Sequence, residues 1–176
     1  MRASTPMSPG KEPLEPARSA DLEQLVALDA RSFSHADRYR RREWAGILDE
    51  SLSGGPASIV VARVGKTVIG AAVVVTDVEA MHTSVLSLAV ESRYRRTGLG
   101  RRLMCGALAQ QAAHARTVSL EVRVENLGAR ALYEQLGFRI RRRMRKYYAD
   151  GAAGLEYRAP MQSVLEACQA ATNGGC

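Results

Sequence analysis

The sequence predicts one mixed α/β sandwich, an α+β arrangement with a central sheet of about six to seven strands and helices on both faces. Three observations support this. The hydrophobic period changes repeatedly between the helical and the strand repeat, in the approximate order β-α-α-β-β-β-α-β-α-β-β. The length, 176 residues, suits one domain better than two. The composition, 46% hydrophobic and 24% charged, is that of an ordinary globular fold with enough apolar surface for a core. Three strands in succession and the lack of an internal repeat exclude a regular βαβ architecture.

The elements follow in order. Residues 1–13 hold three of the six prolines with Ser, Thr and Gly, and read as a disordered leader. A domain over 14–160 and a tail over 161–176 follow. Ser19 is placed to cap a helix with Leu22, Leu25, Val26, Leu28 and Ala30 on one face. Trp44, Ile47 and Leu48 mark a second helix around Arg41–Ser51. Ala57–Val64 and Thr67–Val75, joined at Gly65-Lys66, read as a β-hairpin. A strand at about Ser84–Val90 leads through a loop to a helix from Gly98 to about His114. Thr117–Val122 is a strand, and Asn126 can cap a helix that stops at Gly137. Phe138–Tyr148 and Gly154–Ala159 are the last two strands, and the tail from Gln162 has the spacing of one amphipathic helix.

Several function classes can be set aside. No apolar run approaches the ~18–20 residues that span a bilayer, and the first residues lack a signal peptide's apolar stretch. Cys105, Cys168 and Cys176 are odd in number, form no C-x-x-C pair and lie far from His35, His82 and His114. We therefore expect no disulfide framework, no metal site and a cytoplasmic home, with Cys105 a small core residue. The net charge of +7 is uneven: residues 93–146 carry 14 Lys/Arg against three acids, a local +11, and the remainder carries −4. That half should meet something anionic.

Two glycine segments bear comparison with phosphate-binding loops. Gly65-Lys66-Thr67 has Val60 where a P-loop needs glycine, so it is a hairpin turn. Arg95-Arg96-Thr97-Gly98-Leu99-Gly100-Arg101 lies between a strand and a helix start, where backbone N–H groups and the helix N-terminus suit an anion. Leu103 stands where a dinucleotide fingerprint needs a third glycine.

Arg95-x-x-Gly98-x-Gly100 resembles the Q/R-x-x-G-x-G/A loop of the GNAT acetyltransferases, which holds the pyrophosphate of acetyl-coenzyme A. Leu120-Glu121-Val122-Arg123-x-x-Asn126, Ala131-Leu132-Tyr133-Glu134-x-Leu136-Gly137-Phe138 and Arg145-Lys146-Tyr147-Tyr148-x-Asp150-Gly151 resemble the RimI-type branch, whose members acetylate protein N-termini, including the N-terminal alanine of a ribosomal protein. The resemblance covers about residues 14–160. It implies the acyl-CoA N-acyltransferase fold and acetyl-CoA as donor. It also implies a strand that splays from its neighbour and offers Leu88, Ala89 and Val90 to the pantetheine arm, with Arg95, Arg96, Thr97, Gly98, Leu99, Gly100 and Arg101 at the pyrophosphate and Asn126 at the pantetheine.

The resemblance further implies Glu121 as general base and Tyr133 as general acid. Strand alternation points Leu120 and Val122 one way and Glu121 and Arg123 the other, so Glu121 can face a cleft. Leu132 and Leu136, four apart, should face the core and leave Tyr133 about 100° round the helix. Packing of Tyr133 against the sheet is the plainer alternative. Tyr147 and Tyr148 match a pair that lines the groove for the acceptor's first residues. His82 falls where many relatives carry a carboxylate near the acceptor amine, and is either a second base or an ordinary strand histidine.

The segment Ser32–Arg42 departs from the branch, lacking its Pro-Trp and carrying Asp37-Arg38 and Arg41-Arg42 instead. This loop shapes the acceptor pocket in such proteins, so the departure bears on the acceptor. Alternation puts Arg139, Arg141, Arg143 and Arg145 on one face, either a solvated surface or a site for ribosomal RNA or another polyanion. The favoured reading is acetyl transfer from acetyl-CoA to a protein N-terminus by direct attack in a ternary complex. A small-molecule amine or a lysine as acceptor is the alternative, and a non-catalytic RNA- or ribosome-binding module a third.

Overall fold

The structure, a computed structural model, describes residues 12–173. The expected leader falls mostly outside these residues, as does Cys176. Glu12 is already buried, so packing starts slightly before Leu14.

Seven strands form one sheet in the order β1-β2-β3-β4-β5-β7-β6. They are β1 (Leu14–Pro16), β2 (Ala57–Val64), β3 (Thr67–Asp77), β4 (His82–Val90), β5 (Thr117–Arg123), β6 (Arg139–Met144) and β7 (Gly154–Pro160). Five helices complete it: α1 (Leu22–Ser32), α2 (Arg41–Leu52), α3 (Leu99–Gln111), α4 (Leu127–Gln135) and α5 (Met161–Asn173). The element order matches the sequence prediction, with α5 in the tail. All the pairings are antiparallel except β4 with β5.

β2 and β3 read as continuous apolar runs because both their faces are covered. Val60, Ala62, Ile69, Ala72 and Val74 join a core with α3, α4 and α5, while Ile59, Val61, Val68, Ala71 and Val73 join a second core with α1 and α2. Leu25, Leu28, Trp44 and Leu48 fill that second core, and Ala30 is exposed. Ser19 does not cap α1. It sits in a 3-10 turn (Ser19–Asp21), and Asp21 follows, its carboxylate accepting from the Arg18 N–H at 2.7 Å and from Arg63 Nη1 at 2.8 Å. Asp21 and Arg63 are both buried, so each charge depends on the other.

Two irregularities alter which side chains share a face. In β4 the register against β3 shifts between Val73↔Ser87 and Val74↔Val85, leaving Leu86 as the extra residue. Before this bulge Thr83 and Val85 point toward α3; after it Leu88 and Val90 do, and Ala89 joins the α1–α2 core. In β6 the register shifts between Ile140 and Arg142, so Arg139 and Arg142 lie opposite Arg158 and Glu156. The expected single arginine face over Arg139, Arg141, Arg143 and Arg145 is thereby broken, and the strand stops at Met144 rather than at Tyr148.

Cys105 on α3 and Cys168 on α5 form a disulfide, with Cα atoms 5.8 Å apart. This corrects the expectation of no disulfide. The pairing spans 63 residues of sequence, and α5 folding back onto α3 creates it, which spacing along the chain does not reveal.

Candidate active site

β4 and β5 pair from His82↔Thr117 to Val85↔Leu120 and no further, while β4 continues to Val90. The strands therefore part at the Leu86 bulge. Beyond that point Leu88, Ala89 and Val90 pair on one side with β3. Their edge toward β5 is left to other partners, and Arg95 Nε takes one of these groups, donating to the Val90 carbonyl at 3.0 Å.

The loop after β4 turns sharply before α3. Arg96 has φ of 65° and Gly98, the residue capping α3, has φ of 85°. A Cβ at Gly98 would meet nothing within 4 Å, so glycine is there for its backbone conformation and not for space. Thr97 Oγ1 donates to the Tyr94 carbonyl at 2.8 Å, which holds the turn. Leu99 is buried in the core, so its contribution to any anion is its backbone alone. Arg101 Nη2 donates to the Ala167 carbonyl of α5 at 2.7 Å, committing this arginine to the helix pair. An open left-handed glycine, free backbone at a helix N-terminus and a strand edge without a sheet neighbour fit a pyrophosphate and a pantetheine arm. Asn126 caps α4, its Oδ1 accepting from the Ala129 N–H at 3.2 Å.

On the α1 side of the sheet a cleft of about 600 Å³ opens where the strands part. Val85, Leu86, Ser87, Leu120 and Glu121 form its floor, the α1–α2 loop one wall, and Tyr147 and Tyr148 the other. Its acids, Asp29, Asp37, Glu43, Glu121 and Glu156, outnumber Arg38 and Arg142. Glu121 stands on the solvent face of β5, between buried Leu120 and Val122, as alternation predicts. Its carboxylate accepts a hydrogen bond from the Tyr147 hydroxyl, which pushes the Tyr147 phenol up to about 12. Burial pushes Tyr148 up to about 12 as well, with the Asp37 charge adding to it. The two tyrosine rings pack edge to face, 5.2 Å between centroids.

Tyr133 differs from expectation. It is the buried residue of α4, against Phe138 and Tyr157, while Leu132 is half-buried and lies beside Gly100. Helix α4 therefore turns its aromatic inward, and the packing alternative describes its ring. Its hydroxyl has no hydrogen-bond partner among the described residues, and burial pushes the phenol well above its ordinary range. The phenol therefore stays protonated at neutral pH and is a weaker acid than a free tyrosine. His82 does not line the cleft. Its Nδ1 and Nε2 lie 2.8 Å from Thr117 Oγ1 and Ser119 Oγ, and burial, with Arg158 nearby, lowers its pKa. Ser119 does line the cleft, so His82 is one hydroxyl removed from it.

Sequence reasoning missed the role of Arg123. Its guanidinium binds Asp37 of the α1–α2 loop and Asp150 of the β6–β7 loop together. The signal was present in Leu120-Glu121-Val122-Arg123, since alternation put Arg123 on the cleft face.

With the split strands, the Gly98 turn and the cleft in place, comparison with known proteins gives the class. Residues 20–138 match the acetyltransferase (GNAT) family, and the chain belongs to it. N-alpha-acetyltransferase 30 from Xenopus laevis is 34% identical over 145 residues, 77% of this chain and 48% of that protein. The chain thus spans about half the length of the curated relatives it matches. Among solved structures, the NatC complex bound to Gag peptide and CoA superposes with a TM-score of 0.72 at 25% identity, covering 84% of this chain and 96% of that one. The ribosomal-protein-S18-alanine N-acetyltransferase from Escherichia coli gives 0.73 at 24% identity, covering 85% and 94%, a likeness of fold. The mixed sheet with helices on both faces is the GNAT fold.

Proposed function

We propose that this protein is an acetyl-CoA-dependent N-terminal acetyltransferase of RimI-like type, which transfers acetyl to a protein or peptide α-amine by direct attack. The observation that carries this reading is the acid-lined cleft at the β4–β5 split, with Glu121 on its floor and paired tyrosines on its wall. N-alpha-acetyltransferase relatives and the peptide- and CoA-bound NatC structure support it.

Acetyl-CoA supplies an activated acyl carbon when bound. Gly98, Gly100 and the N-terminus of α3 would hold its pyrophosphate, with Arg96 exposed beside them, and the edge of Leu88–Val90 that β5 leaves unpaired would hold its pantetheine. Glu43 and Glu121, the exposed lining acids and not held by Arg123 or Arg142, attract an ammonium, and an α-amine of pKa ~7.7–8.0 gives up its proton far more readily than lysine at ~10.4. Glu121 takes that proton once Tyr147 releases its carboxylate. Tyr147 and Tyr148 flank the acceptor's first residues, and Tyr133 keeps a proton for the departing thiolate. The exposed Arg139–Lys146 segment supports a second element of the proposal, proximity to ribosomal RNA, and we place the enzyme in the cytoplasm, where nascent chains and acetyl-CoA meet.

Two peptides with acetyl-CoA, read by mass spectrometry, test the reaction. One has a free N-terminal Ala and no lysine; the other has a blocked N-terminus and one lysine. Gain of one acetyl by the first alone is expected. Gain by the second alone makes the protein a lysine acetyltransferase. RNA binding that falls steeply with salt and is lost on replacing Arg139, Arg141 and Arg143 by Gln tests the basic segment.

A further inference from the structure

The cleft is framed by two loops distant in sequence, and one side chain joins them. Arg123 Nε and Nη2 donate to Asp37 Oδ2 and Oδ1 at 2.5 and 2.6 Å. Nη1 donates to Asp150 Oδ2 at 2.9 Å and to Glu125 Oε1 at 3.3 Å. The guanidinium carbon sits 4.2 Å from the centroid of the Tyr148 ring. Four N–H groups and one π-face are thereby engaged from a single strand position.

Each acid is set by its own loop before it meets Arg123. Asp37 closes a turn in which its N–H donates to the Ser34 carbonyl at 3.0 Å, while Ser34 Oγ donates to its Oδ2 at 2.8 Å. Asp150 Oδ1 accepts from the Ala152 N–H at 3.0 Å. The Arg123 and Asp37 side chains are only 16% and 12% exposed, so water screens this pair less than a surface ion pair. A bidentate guanidinium–carboxylate contact also fixes orientation, which lysine cannot reproduce.

We propose that Asp37 and Arg123 are positioning residues that clasp the α1–α2 loop to the β6–β7 loop and so set the cleft's width and its choice of acceptor. The proposal rests on the reading of the cleft as the acceptor site. Tyr148 is held against the guanidinium, so the wall it forms stands where Arg123 puts it, and Phe33, Ala36 and Tyr39 of the facing wall follow Asp37.

The test compares Asp37→Ala, Arg123→Ala and the double variant, with Arg123→Lys as a charge-preserving variant should Arg123→Ala fold poorly. Asp37→Ala should raise KM for the free-Ala peptide roughly tenfold, Arg123→Ala at least as much because it also releases Asp150 and Tyr148, and the double no more than Arg123→Ala alone, because the Asp37–Arg123 contact is already lost in it. KM for acetyl-CoA should stay within about twofold, and Arg123→Lys should recover only part of the acceptor KM. Amide hydrogen exchange reads the clasp independently of the acceptor. Asp37→Ala should speed exchange in residues 145–153, which Asp37 reaches through Arg123. Unchanged exchange there, or effects that multiply in the double variant, would overturn the clasp. A wild-type protein inactive on every N-terminal peptide would instead defeat the functional reading, and the exchange result would still decide the clasp.

Discussion

The side proposed for the acetyl donor and the side proposed for the acceptor are built from different materials. At the donor side, β4, the Gly98 turn and the start of α3 are contiguous in sequence, and the groups offered to a ligand are mostly backbone. At the acceptor side, the α1–α2 loop, the end of β5 and the β6–β7 loop are joined by side chains 86 and 27 residues apart. A backbone-built site depends on local geometry. A side-chain-built site changes with single residues.

The largest separation of the two sides should come from Glu121→Gln. Turnover should fall by roughly 10²–10⁴-fold, the usual range for a general base, with acetyl-CoA affinity unchanged in calorimetry. Loss of both together would mean that the two sides are not separate. Next in size is the disulfide behind the donor side. Closing a loop of 63 residues is worth about 4 kcal/mol in the chain-entropy description. Cys168→Ser or a strong reductant should therefore lower the melting temperature markedly. The acceptor loops should keep their hydrogen-exchange protection below that temperature. Smallest is Gly98→Ala. A left-handed alanine costs about 1–2 kcal/mol, so acetyl-CoA should bind roughly 5–30-fold more weakly if the turn relaxes, with acceptor KM little changed.

The same division explains what was legible in the sequence. Element order, the hairpin at Gly65, the C-terminal stop of α4 at Gly137 and the inward side of β5 all follow from local period and turn chemistry. Gly98-x-Gly100 was legible for the same reason. The bulge at Leu86 was not, because an extra residue in β4 becomes visible only against the register of β3. The bulge at Arg141 likewise breaks an arginine face that alternation alone would draw. Tyr133 shows the limit of a helical wheel: Leu136 is buried in the core as its spacing expects, but Leu132 is only half-buried, and contact with Phe138 and Tyr157 turns the tyrosine inward. Cys105 with Cys168, and Arg123 with Asp37 and Asp150, are contacts between distant segments, and counting residues along the chain does not reveal them.

The peptide pair decides whether the acid-lined cleft beside the Gly98 turn serves an N-terminal amine. With acetyl-CoA present, the free-Ala, lysine-free peptide should be acetylated, Glu121→Gln should abolish this, and the blocked peptide should gain nothing. Acetylation of the blocked lysine peptide alone, or acetylation of the free-Ala peptide that survives Glu121→Gln undiminished, would contradict this reading of the cleft.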